Sequence, residues 1–231
     1  KLGKKIYITG KGRCNLTNDC PPDEFLAHVV RGEKFLTRAA YRFSSADTMA
    51  FFEQHGLPLK VERGNLVFPV TDHASDVTKT LERSCRDAGA EIRLNEKVLS
   101  VGQENGAVRT VQTAKGIYEC DAVIVATGGL SYPSTGATGD GYRFAQESGH
   151  SIIPTVPSLV GIELAEDVAP AQGISLKNAV LTARRSGKVI FSQLGELLFT
   201  HYGISGPLVL SLSARINRIP LNEIGLAIDF K

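Results

Sequence analysis

Apolar side chains recur along this chain with two different spacings, and each spacing predicts a different kind of element. Val77, Leu81 and Cys85 stand four residues apart, which places them on one face of a helix predicted over residues 74–89. The same spacing, with capping and stop residues, predicts helices over residues 24–30, 34–43, 45–55, 140–149 and 207–216. Runs of β-type residues predict strands over residues 6–8, 59–62, 65–70, 91–94, 97–101, 107–113, 117–120, 159–164, 179–184 and 188–191.

The run Asp121–Ala126 differs from the other predicted strands because its Val, Ile and Ala residues follow one another without alternation. A continuous apolar strand is typical of a parallel sheet that helices cover on both faces. The predicted fold class is therefore α/β, with part of a doubly wound, Rossmann-like sheet. Residues 1–153 form the first predicted domain, which includes a helical and hairpin segment over residues 23–70. Prolines and short β-type runs predict a second, β-rich domain over residues 154–231.

Composition narrows the class of protein. With 42% hydrophobic and 22% charged residues, the chain is typical of a globular protein rather than a disordered, collagenous or coiled-coil one. No apolar run is long enough to cross a bilayer, so no membrane partner is expected. The formal net charge is +2, from which we expect no nucleic-acid partner, although residues 1–18 contain five basic residues and no acid. Four cysteines without CxxC pairing predict reduced thiols and a cytoplasmic location.

Two glycine-containing segments are candidate ligand sites. Thr127, Gly128 and Gly129 follow the predicted parallel strand, at the sheet edge where such folds bind ligands and where glycine allows close approach to the backbone. A tight turn without a ligand is the alternative. Residues 135–141 place glycines and hydroxyls directly before a helix, where free N–H groups favour anionic oxygens. Asp140 there suits a ribose or ribityl hydroxyl, and a capped helix after a flexible loop is the alternative.

A third candidate is the loop of residues 10–15. It begins like a dinucleotide-binding GxGxxG motif but has Asn15 where the third glycine would stand. Lys11 and Arg13 suit a diphosphate or an electron-rich ring, whereas a basic surface loop is the simpler interpretation. Cys14 beside Arg13 is either a thiol of lowered pKa or a small buried side chain.

Outside these segments, the titratable residues predict little chemistry. The five histidines do not cluster, and no set of His, Cys, Asp and Glu has metal-ligand spacing, so no metal is expected. His201 stands near Tyr202 and Ser205 and is a candidate proton donor in a pocket. A structural or solvated histidine is the more common alternative.

Taken together, these segments resemble one family. Residues 8–18 (ITGKGRCNLTN), 126–133 (ATGGLSYP), 135–142 (TGATGDGY), 157–160 (PSLV) and 195–207 (GELLFTHYGISGP) are similar, in order, to the bacterial FAD-containing flavoprotein family that includes aminoacetone oxidase. The loop at 13–15 and the segment 201–207 are the specific motifs. The TGDG turn is also similar to the fumarate reductase group.

The resemblance implies an FAD domain with an inserted β-rich substrate domain, and it assigns candidate cofactor residues. Along the flavin it implies Gly10, Arg13, Cys14 and Asn15. Against the adenosine and diphosphate it implies Thr127 and Gly128, with the backbone of Val98 at the adenine and Thr138, Gly139 and Asp140 near the flavin side. Gly12, Gly129 and Tyr132 belong to the matching motifs and complete the set. The family's GxGxxG strand and its C-terminal FAD segment have no counterpart here, so we expect an internal fragment.

The function expected on this basis is FAD-dependent oxidation or reduction of a small molecule by hydride transfer, with His201 facing the substrate. Oxygen, a quinone and a pyridine nucleotide such as NAD(P)H all stay open as the second redox partner. A folded fragment that binds no flavin is the alternative. A flavoprotein that modifies RNA or transfers methyl groups is a weaker third possibility, because the chain lacks a basic stripe.

Overall fold

The computed structural model describes residues 1–230, which form two compact units, one over residues 1–152 and the other from Ile153 onward. The predicted assignment of a cofactor domain to residues 1–153 and a substrate domain to residues 154–231 stays a prediction. Within the described residues, every strand pair is antiparallel.

The first unit combines five helices with two small sheets. Its elements are β1 (Thr17–Asn18), α1 (Pro22–Ala27), α2 (Glu33–Arg42), α3 (Ser45–Gln54), β2 (Leu59–Glu62), β3 (Leu66–Pro69), α4 (Ala74–Asp87), β4 (Val98–Glu104), β5 (Ala107–Thr113), β6 (Ile117–Glu119) and α5 (Asp140–Glu147). One sheet has the order β1-β3-β2 and the other β4-β5-β6. A core cluster joins the amino-terminal loop to α3 and α4 through Cys14, Phe52, Leu57, Ala74 and Val77.

The second unit is one five-stranded sheet with a helix packed on it. Its elements are β7 (Ile162–Glu163), β8 (Ser175–Arg185), β9 (Lys188–Thr200), β10 (Gly203–Ser205), α6 (Pro207–Ile216) and β11 (Ile224–Phe230). The strand order is β11-β8-β9-β10-β7. Val209 and Leu212 of α6 are fully buried, as are Leu181, Leu197 and Ile204 of the sheet, so the helix and the sheet share one core.

Local patterns predicted most helices well, and the differences have physical causes. Ser44, not Ser45, caps α3, since its hydroxyl accepts from the backbone N–H of Asp47 while the Asp47 carboxylate accepts from the N–H of Ser44. Residues 6–8 form a 3-10 turn that ends at a kink over Thr9–Lys11, rather than a strand. Residues 91–94 form no strand.

The largest difference concerns the apolar run of residues 121–126, which is not a strand. Ile124 is 91% exposed and Val125 is 49% exposed. A strand of this composition is typical of a sheet in which other strands pair with both of its edges and helices cover both of its faces. None of the described strands pairs with it, and apart from the half-buried Val123 its residues are exposed.

Candidate functional site

The two glycine segments that the sequence singles out lie against each other in the first unit. A Cβ added to Gly141 would stand 2.6 Å from the Thr127 hydroxyl oxygen. A Cβ added to Gly139 would stand 2.6 Å from a methyl carbon of Leu130, and Gly139 has a φ of +83°, a conformation that glycine adopts without strain. The close approach of the two segments therefore depends on these glycines.

Asp140 is the first residue of α5 rather than its cap, because Gly139 occupies the N-cap position. The Asp140 carboxylate accepts a 2.9 Å hydrogen bond from the Thr138 hydroxyl. That bond holds the pKa of Asp140 below its usual range, so the group is an anion at neutral pH. A carboxylate here repels a phosphate but accepts readily from a sugar or ribityl hydroxyl.

The loop of residues 10–15 is held closely against hairpin β2–β3. A Cβ on Gly10 would lie 2.8 Å from the backbone nitrogen of Asn15 and 3.2 Å from the ring of Phe68. The Arg13 guanidinium stacks over that ring at 4.0 Å. Lys11 and Cys14 both have positive φ, so the loop curls tightly and presents an exposed Asn15.

Arg13 is committed to an ion network rather than free for a ligand. Its Nε donates to Asp72 at 2.7 Å and its Nη2 donates to Glu62 at 2.5 Å, while Lys60 donates to Asp72 at 2.6 Å. Hydrogen bonding to Glu62 and Asp72 raises the pKa of Arg13, and the same network lowers the pKa of both carboxyls. Two cations and two anions cancel, so this loop offers little net positive charge to a diphosphate.

Lys5 connects the amino-terminal segment to residue 131, which lies between the two glycine segments in the chain. Its ammonium group donates a 2.8 Å hydrogen bond to the backbone carbonyl of Ser131. The amino-terminal segment, which leads into the loop at 10–15, therefore contacts a stretch that lies 126 residues further along the chain. Ser131 lies beside Tyr132, which is 66% exposed.

Cys14 is a buried thiol. Only 6% of the residue is exposed, and burial raises the pKa of the thiol. The thiolate is therefore scarce at neutral pH, which argues against the reactive, low-pKa alternative. All four cysteines are free thiols.

The other predicted site residues differ in their surroundings. Val98 opens β4 and pairs with Thr113. Thr127, Gly128 and Thr138 are exposed, and Gly129 is half-buried. Gly12 is half-buried with a φ of +87°. His201 belongs to the second unit, where it is exposed in the turn between β9 and β10 and packs edge-on against Tyr202 at 5.0 Å.

Sequence reasoning missed the residues that hold the loop at 10–15. Lys60, Glu62, Phe68 and Asp72 all lie on or just after hairpin β2–β3. The alternation of Lys60, Val61 and Glu62 signals that two charged side chains share one face of a strand. Nothing in the local pattern connects that face to Arg13.

A cavity of about 740 Å³ lies in the second unit, between the two edge strands of its sheet. Apolar side chains of β7, α6 and β11 dominate its wall, among them Ile162, Ile216, Leu226 and Ile228, with Glu163 and Glu166 also lining it. Its size falls within the range of small-molecule sites. No sequence pattern predicted it.

The arrangement in the first unit has features that a dinucleotide cofactor requires. A Cβ on Gly129 would have its nearest neighbour, the Tyr142 hydroxyl, at 3.6 Å, so backbone there is open to close approach. Tyr142 belongs to α5, whose second residue, Gly141, lies against the Thr127 hydroxyl. Among residues 1–230 no group of three or more His, Cys, Asp and Glu side chains is placed to hold a metal ion. No helix in the same range has both the length and the apolar character needed to cross a membrane.

A family model and several curated proteins match the chain. The model described as HI0933-like protein Rossmann domain matches residues 1–208. A 3-dehydro-bile acid delta(4,6)-reductase from Clostridium scindens is 33% identical over 99% of this chain and 56% of its own length. Ribosomal RNA dihydrouridine synthases from Haemophilus influenzae and Escherichia coli are 34% and 32% identical, over 92% and 93% of this chain and 53% and 52% of theirs. The chain thus spans about half the length of these relatives.

Among solved structures, the crystal structure of L-proline dehydrogenase from P. horikoshii is similar at 14% identity, with a TM-score of 0.35 over 96% of this chain and 69% of that one. A likeness at that score supports no argument here. The family match confirms the predicted class, a Rossmann-like α/β protein.

The comparisons correct one expectation. We expected no nucleic-acid partner because the net charge is close to zero, yet two relatives are named for ribosomal RNA, so that exclusion is wrong. Net charge is an average over the whole chain. A local surface can be strongly basic while acids elsewhere cancel it, as residues 1–18 already illustrate.

Proposed function

The chain belongs to the HI0933-like Rossmann-domain family, and we propose that it carries part of the FAD site of an oxidoreductase that reduces a carbon–carbon double bond conjugated to a carbonyl group. The packing of the segment at 127–130 on the start of α5 is the observation that carries the cofactor proposal. The reaction class rests on the relatives' names. A delta(4,6)-reductase of a 3-dehydro-bile acid and a dihydrouridine synthase both act at an electron-poor double bond.

The proposed role of each segment follows from its chemistry. The backbone at Gly128 and Gly129 would lie along the cofactor diphosphate, where N–H groups bind phosphate oxygens and no Cβ intervenes. Asp140 would accept from a ribityl or ribose hydroxyl, with Thr138 fixing its carboxylate. When bound and reduced by a pyridine nucleotide such as NAD(P)H, FAD would supply the hydride.

The loop at 10–15 would border the flavin. Its proposed role is to position the cofactor rather than to react with it. The Arg13 network holds the loop in place, and Asn15 presents an exposed amide. Reduction of a double bond also needs a proton at the second carbon. His201 stays the candidate donor, and a His201→Gln variant with unchanged pH dependence of turnover would remove that role.

Other details stay proposals. They are the closer likeness to the aminoacetone oxidase group, the division into cofactor and substrate domains, NAD(P)H as reductant and a cytoplasmic location. The free thiols support the last of these.

The cofactor proposal is tested by titrating FAD with the chain and following the quenching of flavin fluorescence. Saturable quenching is expected. Gly129→Ala should weaken it roughly tenfold or more, because the added methyl fits the protein but blocks a backbone hydrogen bond to a charged oxygen. Gly116→Ala is the matched control, since no atom lies within 4 Å of its added Cβ and its φ is ordinary.

Two results would contradict the proposal. A folded chain that does not quench flavin fluorescence has no FAD site of its own. Equal affinity of the wild type and Gly129→Ala would place the cofactor somewhere other than the glycine segments.

A further inference from the structure

Helix α2 is the least buried helix of the first unit. None of its ten residues is buried, and only Leu36 and Ala40 are half-buried. Helix α1 is the main element that it packs against. A ten-residue helix gains little stability by itself, and most of the surface of α2 is open to solvent.

The exposed side of α2 combines cations with aromatic rings. Lys34, Arg38 and Tyr41 are spaced four and three residues apart, and Phe35, Arg38 and Arg42 three and four apart, so all five share one face. Phe35 is 87% exposed and Tyr41 is 60% exposed. We call these five side chains the α2 face.

The cations of the α2 face are available for a ligand. Within residues 1–230, Lys34, Arg38 and Arg42 take part in no ion pair, in contrast to Arg13, whose charge the network of Glu62 and Asp72 cancels. Glu33, the one acid of α2, lies on the other side with Leu36 and Ala40. The α2 face is therefore a local excess of three positive charges.

We infer that the α2 face is a docking surface for single-stranded RNA. Cations spaced along a helix bind successive phosphates, and exposed aromatic rings stack on unpaired bases without regard to sequence. The inference rests on the proposed function for its purpose, which is to bring a uracil ring to the enzyme, but the surface itself is testable without any flavin.

A membrane surface is the other polyanion that such a helix can meet, and the geometry favours RNA. A helix that lies in a bilayer interface presents a wide apolar face opposite its cations. In α2 the side opposite the cations carries Glu33, Thr37 and Ala40 with only one large apolar residue, Leu36. Its exposed rings lie among the cations, where bases stack between phosphate contacts.

The charge test uses the full chain and a fluorescein-labelled single-stranded oligouridylate RNA, with fluorescence anisotropy as the readout. Arg38→Gln with Arg42→Gln should weaken binding by roughly 25-fold at about 0.1 M salt and reduce the slope of log affinity against log salt by about 1.4. Gln has nearly the helix propensity of Arg, and far-UV circular dichroism checks that the fold is kept. Lys177→Gln with Lys188→Gln changes the net charge equally, on exposed residues of the second unit, and should leave affinity unchanged.

The stacking test changes Phe35. Phe35→Ala should weaken RNA binding roughly fivefold or more, and Phe35→Leu should weaken it nearly as much, because leucine keeps the apolar character but loses the flat ring. The same variants are also incubated with vesicles of phosphatidylcholine and phosphatidylserine, so that membrane binding can be compared with RNA binding.

The inference is overturned if the wild type does not bind the RNA, if both double variants lose equal affinity, or if the chain binds the vesicles in preference to RNA. A flavin titration of Arg38→Gln with Arg42→Gln separates the two proposals. Intact flavin quenching with lost RNA binding supports both. Flavin quenching by a wild type that does not bind RNA contradicts only the proposal of the docking surface. RNA binding without flavin quenching contradicts only the proposal of the FAD site.

Discussion

Gly141→Ala tests directly whether the two glycine segments touch in solution. Gly141 is the second residue of α5, and its φ is ordinary, so alanine there meets no backbone strain. The added Cβ would lie 2.6 Å from the Thr127 hydroxyl oxygen and 3.3 Å from a methyl carbon of Val125. Both distances are shorter than ordinary van der Waals contact, so the segment at 125–127 must move or Thr127 must rotate.

Two opposing contributions determine how much Gly141→Ala changes the free energy of unfolding. Alanine is favoured over glycine within a helix by about 0.5–1 kcal/mol, whereas forcing an extra methyl into a filled space costs about 1–3 kcal/mol. A net loss of roughly 1 kcal/mol in unfolding free energy is expected for Gly141→Ala. Thr127→Ala removes the clashing oxygen from an exposed side chain and should by itself change little.

The double variant separates the two terms. With Thr127→Ala in place, Gly141→Ala should recover most of the lost stability, because the helix gain remains when the main clash is gone. The assay is urea denaturation followed by far-UV circular dichroism, with Gly116→Ala as the alanine control in open space. A Gly141→Ala chain at least as stable as the wild type would refute the close packing of the two segments.

Three further predictions concern other parts of the chain. Ser44→Ala removes the capping box of α3 and should lower the unfolding free energy by about 1 kcal/mol in urea denaturation. Ser44→Asp should retain most of the stability that the cap contributes. Leu212→Ala empties a fully buried position in the core of the second unit and should cost about 2–5 kcal/mol, read by calorimetry; an unchanged melting temperature would contradict that core. The pKa values of Glu62 and Asp72 are depressed below 4.5 and 3.8 by their cationic partners, so their stabilising contribution is present above those values and is lost as the pH falls below them. The melting temperature should therefore drop on acidification from about pH 6 to about pH 3, and Asp72→Asn should drop less steeply.

Local sequence signals predicted the local structure. The spacing of Val77, Leu81 and Cys85 predicted a helix that the structure places at Ala74–Asp87, and β2 and β3 form within the predicted strands at 59–62 and 65–70. The contact between the two glycine segments was not predicted, although only residues 130–134 separate them in the chain.

What the sequence could not predict depends on contacts across long separations. Arg13 meets Glu62 and Asp72, about fifty and sixty residues away, and nothing near Arg13 in the chain marks it as paired. The prediction of a strand at 121–126 was wrong for a related reason. Its composition reports how a strand would be buried, whereas strand formation requires partners that composition does not specify.

The pairing of Arg13 changes what its substitution would mean. An arginine in a glycine loop would ordinarily be interpreted as a phosphate ligand, yet here two carboxylates already neutralise it and Phe68 supports its flat face. If Arg13→Ala weakens flavin binding, the cause is displacement of the loop rather than loss of an ion pair with the diphosphate. Displacement leaves the salt dependence of flavin binding unchanged, whereas loss of a phosphate contact reduces it. The cations of the α2 face, which take part in no ion pair among residues 1–230, are the opposite case. A neutral substitution there should reduce the salt dependence of RNA binding.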